Sequence, residues 1–271
     1  VKSAVNRTEL DELTRLIRDV AREELLPRFR HSERQYKPDG SIVTEADWVV
    51  QARLTHELGQ RYPNIELLGE EMEEADQRQM LQSGDRLIWC LDPVDGTSNF
   101  AAGLPFFSIS LALMQGAQPV MGIVYDPSRD ECFTAIAGQG AWLNGEPLRT
   151  AVCELPLKRC LAMVDFKRLG PVLASALVTR PPYGSLRYTG SGALEWCWLA
   201  AGRFHLYLHG QQKLWDFAAG ALVLAEAGGI ARSLDGQPVF APGVLTRSII
   251  AAADQRLFEA WSQAINERRA A

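Results

Sequence analysis

The segment that most constrains this chain is Trp89-Cys90-Leu91-Asp92-Pro93-Val94-Asp95-Gly96-Thr97, an apolar run that ends in paired acids and a glycine. The residues from Arg86 to Leu91 predict a short strand ending at Asp92. Two carboxylates delivered by such a strand need water, donors or a cation, because an isolated buried charge is very costly. Asp92 at the strand end and Asp95 in the turn can converge, Pro93 stiffens the link, and Gly96 leaves the following backbone N–H groups open to an anion. Taken alone the segment has two readings: metal ligands beside a phosphate cradle, or a D-G turn with two solvated aspartates.

Other acids flank it. Leu68-Gly69-Glu70-Glu71 sets two glutamates after an apolar run, and Trp215-Asp216 opens a strongly helical stretch. Each has an ordinary alternative, a solvated turn for Glu70 and Glu71 and a helix N-cap for Asp216. Drawn together without counter-charge, each close pair would repel by about 4 kcal/mol at an effective dielectric near 20. Divalent cations remove that repulsion, and an all-oxygen donor set selects Mg2+ or Mn2+ over zinc. His31, His56 and His205 show no metal-ligand spacing.

A net charge of -5 over 271 residues argues against direct nucleic-acid binding, so any phosphate must be held locally. Five cysteines without a C-x-x-C pair are expected to be reduced core residues. The first residues are polar and no stretch approaches the roughly 18 apolar residues of a membrane span. A cytoplasmic location without membrane attachment is therefore expected.

Leu10, Leu13, Ile17 and Val20 recur at helical spacing from Thr8 to about Phe29, with Thr8 and Asp11 as a capping box. After the turn Lys37-Pro38-Asp39-Gly40-Ser41, a second helix starts near Thr44 and carries Val50, Leu54 and Leu58 on one face. Thr44 and Asp47 also fit a capping box. Strands are predicted over Phe107 to Met114, Pro119 to Tyr125 and Glu131 to Ile136. A second sub-domain is expected beyond Leu155, giving a division at 1–154 and 155–271. It would hold a helix capped by Ser191, a strand from Arg203 to Leu208, a helix from Asp216 to Ala227 stopped by Gly228-Gly229, and a last helix from Asp254 to Arg268. Trp196, Trp198, Trp215 and Phe217 are expected in the core or at a subunit contact.

The ordered set Gly69-Glu70-Glu71, Asp92-Pro93-Val94-Asp95-Gly96-Thr97 and Trp215-Asp216 with Gly228-Gly229 resembles the inositol monophosphatase family, in the superfamily that includes fructose bisphosphatases. Gly122-Ile123-Val124-Tyr125-Asp126-Pro127 and Gly140-Ala141-Trp142-Leu143-Asn144-Gly145 extend the likeness over nearly the whole chain. The resemblance implies an α+β fold, a layered αβαβα sandwich of the sugar-phosphatase type. It implies a Mg2+-dependent phosphomonoesterase with two or three ions per site, Mn2+ being an alternative, that acts on a small phosphate ester. Glu70, Asp92 and the Val94 carbonyl would hold one ion, and Asp92, Asp95 and Asp216 a second. Glu70 and Thr97 would orient the attacking water, Asp47 would support Thr97, and the amides of Gly96 and Thr97 would receive phosphate oxygens. Lys37 and its turn resemble the family's mobile loop. Lithium sensitivity and a homodimer are further implications.

Gly190, Ser191 and Gly192 match the family's substrate-contacting turn. Where inositol phosphatases of the family place a glutamate seven residues before Asp216, this chain has His209, with Lys213 close by. That departure favours ligands with an additional anionic group over inositol, unless His209 and Lys213 are exposed loop residues. Arg187 is open between substrate contact and structural pairing. Close alternatives are a 3'-phosphoadenosine 5'-phosphate phosphatase, a fructose-1,6-bisphosphatase or a histidinol-phosphatase. The alternative of another class is a non-catalytic regulatory partner of transcription or ribosome machinery.

Overall fold

Helix α1 (Arg7–Val20) buries Leu10, Leu13, Leu16, Ile17 and Val20, the stripe that its spacing predicts. Its capping box is Asn6–Glu9, not Thr8–Asp11: Asn6 accepts the Glu9 N–H at 3.0 Å and Glu9 accepts the Asn6 N–H at 2.8 Å. The helix is therefore capped two residues earlier than expected. It runs on through a π turn (Ala21–Leu25) and a 3-10 turn (Leu26–Arg28), where Pro27 offers no N–H to continue an α pattern. The computed structural model describes residues 6–37, 40–81 and 84–269.

A two-stranded ribbon, β1 (Gln35–Tyr36) with β2 (Ile42–Val43), leads into α2 (Glu45–Arg61). There the expected box is present, with Asp47 accepting both the N–H and the hydroxyl of Thr44 at 2.7 Å. Next come β3 (Glu66–Gly69), α3 (Glu74–Leu81), β4 (Leu87–Asp95), the short α4 (Thr97–Ala102), β5 (Ser108–Gln115), β6 (Gln118–Asp126), β7 (Glu131–Ile136), β8 (Gly140–Leu143) and β9 (Glu146–Leu148). Strands β3 to β9 form a seven-stranded sheet in chain order, parallel between β3 and β4 and antiparallel elsewhere.

The second sheet has five strands: β10 (Leu161–Asp165), β11 (Ser185–Arg187), β12 (Leu206–Lys213), β13 (Ile230–Arg232) and β14 (Thr246–Ala252), in the order β11-β10-β12-β14-β13. The expected strand at Arg203 to Leu208 thus lies three residues further on. Around this sheet are α5 (Pro171–Thr179), α6 (Gly192–Ala200), α7 (Leu214–Ala227) and α8 (Gln255–Arg269). Gly228 closes α7 with φ +104°, a conformation that glycine alone adopts without strain.

Alternation along the strands sorts the core into layers. In β4, Trp89 and Leu91 pack with α1 and α2, whereas Ile88 and Cys90 face α6 and α7. In β12, Tyr207 faces that same central pair, and Leu206 and Leu208 turn to α5 and α8. The layers are helix, sheet, helix, sheet, helix, the α+β sandwich expected. The central helices are apolar nearly all round, as a layer covered on both faces must be. Trp196, Trp215 and Phe217 are buried there, Trp198 is partly buried against the same cluster, and all five cysteines are free and buried.

Candidate active site

Parallel pairing of β3 with β4 sets Gly69 beside Leu91, so the next residue, Glu70, emerges beside Asp92. The Glu70 N–H donates to the Leu91 carbonyl at 3.2 Å. At Gly69 a Cβ would stand 2.3 Å from Gln51 Oε1, so any larger residue there would displace the Gln51 side chain.

Residues three apart on a regular strand point to opposite faces. Asp92 pairs with Ser110 and Asp95 with Ser108, so β4 carries one extra residue between them. This bulge, within Pro93-Val94, returns both carboxylates to one side, and bulges are where a proline is tolerated in a sheet. The Asp95 carboxylate accepts the Ser191 hydroxyl at 2.6 Å, the Gly192 N–H at 2.9 Å, the Ala193 N–H at 2.8 Å and the Ser108 hydroxyl at 3.2 Å. It therefore caps α6 from another strand. Asp92 accepts only the Val94 N–H, at 3.0 Å, among the described residues.

Asp216 sits in the first turn of α7 and accepts the Lys213 N–H at 3.1 Å, while the Ser110 hydroxyl donates to the Trp215 carbonyl at 3.0 Å and ties that turn to β5. Glu70, Asp92, Asp95 and Asp216 line one cavity of about 410 Å3, with Val94, Gly96 and Thr97. Burial, then the charges of Glu70, Asp95 and Asp216, push the Asp92 carboxyl well above its ordinary range. Burial and the charges of Asp95 and Glu70 do the same to Asp216. Asp95 is pushed up to about 6 by burial, opposed by its four donors.

Lys37 Nζ lies 3.1 Å from Glu70 Oε1 and 2.7 Å from Glu71 Oε1. Burial would lower its pKa, but the two glutamates outweigh that and raise it. Gly40 and Ser41 line the cavity, whereas Pro38 and Asp39 lie outside the described residues. The Thr97 hydroxyl stands 3.0 Å from Asp47 Oδ1 and 2.9 Å from the Val94 carbonyl, one proton for two acceptors. Asp47 is itself pushed up to about 6, mainly by burial.

Among the described residues no group of three or more His, Cys, Asp and Glu side chains already stands arranged to hold a metal ion. Glu70 is engaged by Lys37 and Asp95 by the start of α6. The donor chemistry nevertheless fits a hard divalent cation: buried carboxylates that destabilise one another, a backbone carbonyl, and neither sulfur nor imidazole at the Asp92 end.

Several expected substrate contacts are placed otherwise. Ser191 is wholly buried, and its hydroxyl holds Asp95 instead of capping α6 or facing the cavity. Gly190 and Gly192 do line the cavity. Lys213 does not, its ammonium lying 5.9 Å from the centre of the Trp215 ring. His209 lines the cavity and is buried, but its Nδ1 accepts the Gln211 N–H at 3.1 Å and its Nε2 faces Asp165 at 3.0 Å. With both nitrogens committed, it is a strut for Asp165 rather than a free contact. Arg187 bonds Ser185 and the Leu186 carbonyl, away from the cavity.

Sequence reasoning missed Asp165, Lys167, Arg168, Glu195 and Gln212, all of which line the cavity. Asp165 ends a strand parallel to its neighbours, the position where open α/β sheets gather ligands. Glu195 is buried within α6 and accepts the Thr189 hydroxyl at 2.9 Å and the N–H groups of Thr189 and Gly190 at 3.2 Å. A larger cavity of about 650 Å3, between Leu81, Met114, Phe217 and Phe240, contains Asp85 but none of the acids described above.

Fold and site define a layered α+β protein with an acidic cleft at strand ends. The chain belongs to the inositol monophosphatase family, whose model matches residues 6–270. Inositol monophosphatase 1 of Solanum lycopersicum is 35% identical over 237 residues, covering 85% of this chain and 84% of that protein. The protein named Nus factor SuhB in Xylella fastidiosa is 32% identical over 225 residues, 79% of this chain and 74% of its own length. An IMPase structure from Thermotoga maritima superposes with a TM-score of 0.83 at 28% identity, covering 97% of this chain and 98% of that one.

Proposed function

We propose that this protein is a Mg2+-dependent phosphomonoesterase of small phosphate esters. The observation that carries the reading is the set Glu70, Asp92, Asp95 and Asp216, brought from the end of β3, from β4 and from the start of α7 to one cavity. Glu70, Asp92 and the Val94 carbonyl would hold one ion and Asp92, Asp95 and Asp216 a second, two or three ions being the family's pattern and Mn2+ an alternative. Such ions, when bound, neutralise phosphoryl oxygens, activate a water and stabilise the leaving oxygen.

The chain's own groups do the positioning. Gly96, at φ +90°, would turn its own N–H and that of Thr97 toward the phosphate. A Cβ there would stand 2.8 Å from the Phe106 carbonyl, so no other residue fits this approach. Thr97 and Glu70 would orient the attacking water, and Asp47 would keep the Thr97 hydroxyl in place as a hydrogen-bond acceptor. Gly190 and Gly192 offer backbone to the leaving alcohol.

The relative in Solanum lycopersicum is named an inositol monophosphatase, which supports a sugar or cyclitol ester as substrate. 3'-Phosphoadenosine 5'-phosphate, fructose 1,6-bisphosphate and histidinol phosphate are the alternatives. A homodimer, a cytoplasmic location and a division at 1–154 and 155–271 complete the reading. Among the described residues no helix is long and apolar enough to cross a membrane. The second reading, a regulatory partner of transcription machinery, is favoured by the relative named a Nus factor.

Phosphate release measured across a Mg2+ titration, with Li+ as competitor, separates the two. Saturable metal-dependent turnover supports the enzyme, and no turnover of any of these esters leaves the regulatory reading.

A further inference from the structure

The turn after β10 is fixed by few contacts. Its Lys167 N–H donates to Asp165 Oδ1 at 2.7 Å, its Leu169 N–H to the Phe166 carbonyl at 3.2 Å, and Asp165 is held from the other side by His209. The Arg168 backbone rests directly on Gly210, where any Cβ would stand 1.8 Å from the Arg168 carbonyl oxygen. Strand β12 therefore supplies a bare backbone as the seat of the turn.

On that seat Lys167 and Arg168 are exposed, and both line the cavity that holds the acids. Among the described residues neither ammonium nor guanidinium has a hydrogen-bond or ion-pair partner. The acid nearest in the chain, Asp165, is paired with His209 instead. The charge of Arg168 also acts on the Asp165 carboxyl, favouring its ionised form against the effect of burial. That places the guanidinium electrostatically within the site.

We propose that Lys167 and Arg168 bind a second anionic group of the substrate, so that the preferred ester is one that carries another phosphate. This deepens the phosphatase reading and rests on it. The chemistry suits the pair: a guanidinium presents a flat fork to two phosphate oxygens and an ammonium adds a mobile point charge. The alternative occupant, an uncharged polyol, gains little from two cations. His209 has no free nitrogen to offer a polyol hydroxyl either.

The test uses ester pairs that differ only in the second phosphate: adenosine 3',5'-bisphosphate against adenosine 3'-phosphate, and fructose 1,6-bisphosphate against fructose 1-phosphate. The readout is the ratio of kcat/KM within each pair, because a general loss of activity moves both members equally. A parallel series measures the ratio of Kd by titration calorimetry with Ca2+ in place of Mg2+. In the unmodified protein we expect a ratio of about tenfold or more for at least one pair, falling with added salt. The double variant Lys167→Ala/Arg168→Ala brings it to near unity, and Lys167→Glu/Arg168→Glu takes it below unity. Equal values for both members of both pairs in the unmodified protein overturn the proposal, as does a preference that survives the double alanine change. If none of the four esters is hydrolysed, the anion site is judged on the Kd ratios alone, and the phosphatase reading fails only if inositol 1-phosphate and histidinol phosphate are not hydrolysed either.

Discussion

Asp92 and Asp95 are neighbours on one strand with opposite energetic roles. Asp92 accepts one N–H and otherwise meets the charges of Glu70, Asp95 and Asp216, so its ionised form strains the metal-free protein. Asp92→Asn should therefore raise the melting temperature measured in EDTA. The same change removes an anionic ligand and should lower Mg2+-dependent turnover about 100-fold or more. A variant that melts lower in EDTA, or that turns over normally, would count against this placement of Asp92. Asp95 behaves otherwise. It accepts four donors, so the amide of Asp95→Asn must face at least one N–H or hydroxyl, at about 1–3 kcal/mol. Judged from sequence alone, such a change would lower turnover without touching the fold. Urea unfolding in EDTA should show the loss, and an unchanged midpoint would sink the capping role. The acids were legible in the sequence because carboxylates beside glycines at strand and helix ends are local signals. The capping of α6 by Asp95 was not, since it joins residues 96 positions apart.

At the scale of elements, strands β4 and β12 end alike. Each carries a register shift, between Asp92 and Asp95 in one and between His209 and Gln212 in the other, and each thereby turns residues three apart toward the cavity. Hydropathy shows where such strands run but carries no mark of a bulge, and so neither the commitment of His209 to Asp165 nor the turning of Lys213 away from the cavity was foreseen. Helix existence was legible from the stripes of α1 and α2, while the α1 start shifted because two overlapping boxes fit the same segment and Asn6 won. Glycines show the difference between local and tertiary cause. Gly59 lies inside α2 with nothing within 4 Å of where a methyl group would stand, so Gly59→Ala should stabilise by about 0.5–1 kcal/mol. Gly210→Ala drives a methyl into the Arg168 backbone and should destabilise by about 1–3 kcal/mol or more. Thermal melts of the two variants should move in opposite directions, and a neutral Gly210→Ala would contradict the seating of the turn.

For the molecule as a whole, the site makes stability depend on pH and metal together. Burial, helped by acidic neighbours, lifts Glu71 and Glu195 to about 7 and Asp47 to about 6, and burial lifts Asp95 to about 6. Unfolded, these groups would titrate near 4. Between those limits the folded chain binds more protons than the unfolded one, so its stability falls as pH rises. Their stabilising contribution is complete below about 4 and gone above about 7. Asp165 acts in the opposite sense, since it is lowered by His209 against the effect of burial, but its window lies below the ordinary carboxylate value. From pH 5.5 to 8 the raised groups dominate. In EDTA the melting temperature should therefore drop across that interval by about 10 °C or more, taking about 2–4 °C per kcal/mol for a chain of this size. Divalent cations bind the deprotonated acids, so saturating Mg2+ stabilises more as pH rises and should flatten or reverse the slope. Scanning calorimetry at four pH values, with EDTA and with Mg2+, reads both slopes. Parallel curves, or a metal-free protein that grows more stable toward pH 8, would mean that these carboxylates are not held protonated in and around a cation-seeking cavity.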